Sequence, residues 1–308
     1  MSQSGKAQTT AVEATFTDAE GVQIHTWRWD AAQPRGIVEL LHGLGEYATR
    51  YEPLARDLVA AGYTVRALDY RGHGATGLGQ WGGDVSKLGR LGPGGVRATI
   101  AGIRSFTADV RAEHGALPLV LLGHSMGSLF AQMLLNDDAT PWDGAVLSGT
   151  AYRTFRHMNS GDLNKRFRMP GGTGAEWLSR DPAVATRFRD DPLTFEARTI
   201  QLYGLLDALR LLGTPRRLAR DLPLLIQVGT DDALGGPRSA TLLAQAYRRR
   251  GGLTDVTLEL YEGARHEVYN ETTRAEVIAD LVEWLRPLGQ KRPLSRRITG
   301  RFWPGAGS

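Results

Sequence analysis

The chain has 308 residues, 42% of them hydrophobic and 23% charged, with no cysteine and a formal charge of +4. These values suit one globular α/β domain carrying an insertion, and they exclude disulfides and thiolate metal sites. The positive charge is too slight to point to nucleic acid, and nowhere do about 18 apolar residues run together as a membrane-spanning helix needs. Residues 1–13 lack the apolar run of a signal peptide. The expectation is a cytoplasmic protein with no transmembrane segment and at most weak contact with a membrane surface.

Strand and helix patterns alternate along the chain. Residues 22–27 alternate apolar and polar side chains, as a half-exposed edge strand would. Residues 36–41 form a more apolar strand that runs into His42-Gly43, and 51–61 follow with helical spacing before Gly62. A further strand, 63–68, ends near Arg71-Gly72-His73-Gly74. Residues 94–115 place Val96, Ile100, Ile103, Phe106 and Val110 on one helical face. Residues 117–122 are a continuous apolar run, suited to a strand buried on both faces. A helix over 125–135, strands at 144–148, 222–228 and 256–261, and a last helix at 272–284 complete the pattern. Such alternation implies a mostly parallel sheet with helices on both faces.

Between Gly149 and Leu222 there is no apolar strand but many charges. Residues 150–221 therefore read as a cap inserted over the carboxyl ends of the strands, with 1–149 and 222–287 as the core. Residues 288–308 contain Lys291, Arg292, Arg296, Arg297 and Arg301 without an acid, and read as a solvated basic tail.

Gly123-His124-Ser125-Met126-Gly127 stands between the most apolar strand and a helix. A sharp turn there lifts the Ser125 hydroxyl above the sheet edge, and flanking glycines avoid collisions. The helix start also places the Met126 amide where an oxyanion would develop. A serine hydroxyl needs a base to become a nucleophile. His266, in the loop between the last strand and the last helix, lies at the same edge. Asp231 and Asp232 follow the strand 222–228, and one of them orients the imidazole; position alone does not separate them. In His42-Gly43-Leu44-Gly45, the glycines let the Leu44 amide turn inward as a second oxyanion donor, with His42 propping the loop. No His/carboxylate cluster has metal-ligand spacing, so no metal and no cofactor are expected.

With these residues in hand, the chain resembles the monoacylglycerol lipases and lysophospholipase-like serine hydrolases of the α/β-hydrolase superfamily. The likeness is carried by His42-Gly43-Leu44-Gly45-Glu46 with Arg50-Tyr51, Asp69-Tyr70-Arg71-Gly72-His73-Gly74, the Ser125 pentad, Leu178-Ser179-Arg180-Asp181, Asp191-Pro192-Leu193, Gly229-Thr230-Asp231-Asp232 and Tyr261-Glu262-Gly263-Ala264-Arg265-His266. The resemblance implies the α/β-hydrolase fold, the acid at Asp232, and oxyanion amides at Leu44 and Met126. It also implies that Glu46 and Arg50 line or brace a polar pocket for the alcohol. Tyr47 stands where the family usually has His, and Ser128 where Gly is common. Relatives that dock on lipid carry an apolar cap helix, whereas residues 157–168 are largely polar, which favours smaller, dissolved esters.

The expected activity is hydrolysis of carboxylic esters, monoacylglycerol-like or small and dissolved, through an acyl-enzyme on Ser125. The partner is then a small-molecule ester. An amidase or aminopeptidase using the same triad and a non-catalytic ligand-binding relative are the alternatives.

Overall fold

The computed structural model describes residues 10–289. Its strands are β1 (Val12–Thr17), β2 (Gln23–Trp29), β3 (Gly36–Leu41), β4 (Tyr63–Leu68), β5 (Leu119–His124), β6 (Gly144–Ser148), β7 (Leu224–Gly229) and β8 (Val256–Tyr261). They form one sheet in the order β1-β2-β4-β3-β5-β6-β7-β8. β2 pairs antiparallel with β1 and β4, and the remaining pairs are parallel.

Alternation along the central strands feeds two separate cores. Ile37, Leu41, Leu119, Leu121, Ile226 and Val228 join the apolar faces of α3 (Gly95–His114), α4 (Met126–Asp137) and α7 (Gly236–Ala246). Val38, Leu40, Val120, Leu122 and Leu225 join those of α1 (Glu52–Ala60) and α8 (Arg274–Leu285). Because both faces are covered, β3, β5, β6 and β7 are buried along their whole length and read as apolar runs.

β2 is not the edge. β1 pairs outside it, and five of the six β1 residues are exposed, so β1 carries no apolar signal in the sequence. The helix α2 (Gly74–Gln80) is equally silent, holding three glycines in seven residues. Between β6 and β7 the described chain contains no strand, only turns, a short 3-10 helix (Glu176–Leu178), α5 (Pro182–Asp190) and α6 (Thr199–Arg210). The polar stretch 157–168 forms turns rather than a helix. The apolar helix of the insertion is α6, kinked at Gly204, where Ile200, Leu205 and Leu206 are 60%, 60% and 72% exposed. The basic tail read from the sequence lies, from residue 290 on, outside the described residues. Among the described residues no helix is long and apolar enough to cross a membrane.

Candidate active site

β5 ends at His124 and α4 begins at Met126, leaving Ser125 alone in the turn. Its φ of 52° is the one positive value at a non-glycine among the described residues. Such a backbone costs on the order of 1–3 kcal/mol and persists only where its surroundings impose it. Here a β carbon on Gly123 would stand 2.4 Å from the Gly127 carbonyl oxygen, so β5 and α4 meet too closely for any side chain. The Ser125 amide donates to the Ser148 carbonyl at 3.0 Å. Ser128, in the position of the family's glycine, donates from Oγ to the Ser125 carbonyl at 2.6 Å and so ties the turn from the helix side.

The loops after β7 and β8 run against each other, since a β carbon on Gly229 would meet the Ala264 carbonyl at 2.1 Å. That contact sets Asp232 on His266, with Oδ1 and Nδ1 3.0 Å apart and both side chains buried. Asp232 Oδ1 also accepts the Leu234 amide at 2.8 Å. Asp231 turns outward to pair with Arg166. His266 packs on the rings of His124 and Trp177, with centroids 4.8 and 4.7 Å away. Its Nε2 is buried and makes no hydrogen bond, to Ser125 or to any other described residue. With Nδ1 donating to Asp232, Nε2 is the lone-pair nitrogen of the neutral ring. Burial works against a proton on His266, but the Asp232 carboxylate outweighs it, with Glu267 and Glu46 adding, and the pKa is raised above 6.5. Burial, with His266 nearby, pushes His124 down to about 3, so that ring stays neutral.

The loop after β3 closes on the same point. A β carbon on Gly43 would lie 3.1 Å from Ser125 Cβ. His42 props this loop, its Nδ1 2.7 Å from the Gly43 carbonyl and its Nε2 accepting the Tyr70 amide at 3.2 Å. The amides of Leu44 and Met126 make no hydrogen bond among the described residues. Glu46 Oε1 accepts from the Gly43 amide and from the Tyr51 hydroxyl, each at 2.6 Å, and Arg50 donates to Oε2. Arg50 also reaches both oxygens of Glu267, at 3.2 and 3.4 Å. Burial raises the Glu46 pKa, whereas Arg50 holds Glu267 down against the same burial. Glu46 and Arg50 thus stand together in a buried network whose third member, Glu267, neighbours His266 but carries no motif of its own.

The insertion fastens to the loops after β3, β7 and β8. The Phe195 amide donates to the Gly45 carbonyl at 3.1 Å, and Gly45, with φ 77°, has no room for a β carbon, which would stand 2.2 Å from the Phe195 oxygen. Tyr47, in place of the family's histidine, donates from its hydroxyl to Asp191 at 2.6 Å. Arg265 donates to the carbonyls of Glu176 and Ser179 at 2.6 and 3.0 Å, and the Glu267 amide to that of Leu178 at 2.8 Å. Trp177 and Phe195 are the residues that sequence reasoning missed, since nothing in an aperiodic insertion marks which side chains turn inward. Among the described residues, no group of three His, Asp or Glu could hold a metal ion.

A family model described as serine aminopeptidase, S33, matches residues 32–273, which include all the strand-end loops just described. The chain belongs to that family. It is 31% identical to the monoacylglycerol lipase of Mycolicibacterium smegmatis, the match covering 90% of this chain and 97% of that one. It is 28% identical to the human monoglyceride lipase, over 83% of this chain and 84% of that one. Among solved structures, a thermostable carboxyl esterase from Bacillus coagulans in complex with glycerol superposes with a TM-score of 0.79 over 91% of this chain and 99% of that chain, at 22% identity. This family member is an α/β-hydrolase in fold, and it resembles monoacylglycerol lipases as its motifs imply.

Proposed function

We propose that this serine hydrolase cleaves carboxylic esters, monoacylglycerol-like or small, through an acyl-enzyme on Ser125, with His266 as base and Asp232 as orienting acid. The observation that carries the reading is the buried Asp232–His266 hydrogen bond, which leaves Nε2 without a partner on a ring packed against His124, the residue before the strained Ser125 turn. Nε2 takes the Ser125 proton as Oγ attacks the ester carbonyl, and the Leu44 and Met126 amides receive the developing oxyanion. Asp232 stabilises the imidazolium, which then hands its proton to the leaving alcohol. Water, deprotonated by the same ring, releases the acid.

Glu46 and Arg50 act in this reading as braces, because both Glu46 oxygens already accept donors from the protein. That saturation also favours ester over aminopeptidase chemistry. A peptide's terminal ammonium needs a free carboxylate, and Glu46 and Glu267 are both engaged by Arg50. Residues 150–221 serve as the cap. The exposed apolar side chains of α6 support an acyl group with some apolar length. The location that accompanies this reading is the cytoplasm, and the partner a small-molecule ester rather than nucleic acid.

The test crosses ester and amide substrates of matched acyl group, read for a burst of alcohol, with fluorophosphonate labelling located by mass spectrometry. Ser125→Ala should lose roughly 10³- to 10⁶-fold in turnover and all labelling. Unchanged turnover in that variant would overturn the nucleophile, and amide turnover above ester turnover would overturn the substrate class.

A further inference from the structure

Away from Ser125, two adjoining cavities of about 460 and 420 Å³ open beside the start of α7. Arg156, His157 and Arg238 belong to both, and no acid lines either. Both arginines are exposed. Neither guanidinium has an ion pair or hydrogen bond among the described residues, in a protein where many other arginines are paired. Two guanidinium groups sharing one cavity repel each other, and a shared oxyanion turns that repulsion into charge-assisted, bidentate contacts. The remaining walls include apolar surface from Tyr152, Met158 and Leu242.

The floor is preformed. In the smaller cavity it includes the segment that follows Asp232, held by the Asn159 amide donating to the Leu234 carbonyl at 2.7 Å and Asn159 Nδ2 to that of Ala233 at 3.1 Å. None of Ser125, His266, Leu44 and Met126 lines either space, so they are separate from the catalytic cleft.

We propose that the paired cavities bind an anionic amphiphile, its carboxylate or phosphate head between Arg156 and Arg238 and its apolar chain along Tyr152 and Leu242. The volumes fall within the range of small-molecule sites. The binding is independent of the ester chemistry and uses none of its groups.

Calorimetric titration of the whole protein with dodecanoate, dodecyl phosphate, dodecanol and inorganic phosphate tests it. Dodecanoate and dodecyl phosphate should bind saturably, and more tightly than dodecanol or inorganic phosphate. The double variant Arg156→Gln, Arg238→Gln should weaken both amphiphilic anions by about tenfold or more. Its unfolding temperature and its turnover of p-nitrophenyl acetate should equal those of the parent. Ser125→Ala should leave anion binding untouched, which separates this site from the ester reading: either can fail while the other stands. Dodecanoate binding that survives the double variant would assign it to the catalytic cleft and overturn the proposal. Equal affinity for dodecanol would overturn the anionic head, and equal affinity for inorganic phosphate the apolar chain.

Discussion

The carbonyl oxygen of Leu41 stands 2.1 Å from where a β carbon on Gly127 would have to lie. The end of β3 therefore touches the first turn of α4, and this contact brings the loop carrying Leu44 against the turn carrying Ser125.

Gly127→Ala should accordingly damage both fold and site. Backbone, not a movable side chain, blocks the added methyl, so the loss should reach or exceed the roughly 1–3 kcal/mol of ordinary overpacking. Thermal unfolding and ester turnover measured on the same sample check it. An alanine variant with wild-type melting and wild-type kcat would contradict the close approach.

Exchanging the two neighbouring aspartates separates their roles. The wild-type kcat/KM should fall on the acid side with a midpoint above 6.5, because Asp232 holds the proton on His266 against burial. Asp232→Asn should lower kcat on the order of 10⁴-fold. Its residual acid limb should move to lower pH, since the carboxylate that raises the imidazole is gone. Asp231→Asn, which only releases Arg166 at the surface, should leave the profile in place. A pH–rate series on the two variants decides; identical profiles for both would remove Asp232 from its role.

Arg50→Met leaves Glu46 and Glu267 buried side by side with no cation between them. Breaking such a pair from one side costs about 3–5 kcal/mol. The defect should shrink as pH falls and one carboxylate takes up a proton, and Glu267→Gln added to Arg50→Met should recover part of it. Denaturant midpoints across pH test this, and a pH-independent loss would mean that packing rather than charge is at stake.

Glu39 lies fully buried in β3, accepting from Thr107 Oγ1 at 2.7 Å and Trp142 Nε1 at 3.0 Å, and burial pushes its pKa up to about 7. In the unfolded chain the value returns to the ordinary 4.5. Between these values the folded protein keeps a proton that the unfolded chain has lost, so stability declines as pH rises through that window, by about 3 kcal/mol in all. Glu39→Gln can keep the Trp142 bond and donate to Thr107, whose hydroxyl then turns to the Ile103 carbonyl. It should match the wild type below the window and exceed it above. Equal pH dependence of unfolding in the two proteins would refute the assignment.

The parts of this molecule legible in its sequence are those whose signal is local. The strands β3, β5, β6 and β7 are apolar because helices cover both faces, and the Ser125 turn declares itself through glycines that close contacts demand. His266 is marked by lying between the last strand and the last helix. The illegible parts depend on partners far along the chain. β1 is exposed and defined by its pairing with β2. Position along the chain leaves Asp231 and Asp232 open, and it is the loop after β8 that meets Asp232, the residue the resemblance implied. Phe195 and Trp177 sit in an insertion without period, and the apolar surface of α6 follows a polar stretch that looks, in sequence, like the whole character of that region.

Leu44 is clasped on both flanks: the amide before it is gripped by Glu46, and the carbonyl after it by Phe195. Only the first clasp belongs to the hydrolase core. If the insertion is the cap proposed above, lifting it far enough to admit a bulky guest would unfasten the second, slackening the very segment proposed to steady the oxyanion. Admission of substrate and readiness to react would then alternate in one mechanical cycle, and water arriving under a lifted cap would find the machinery disarmed.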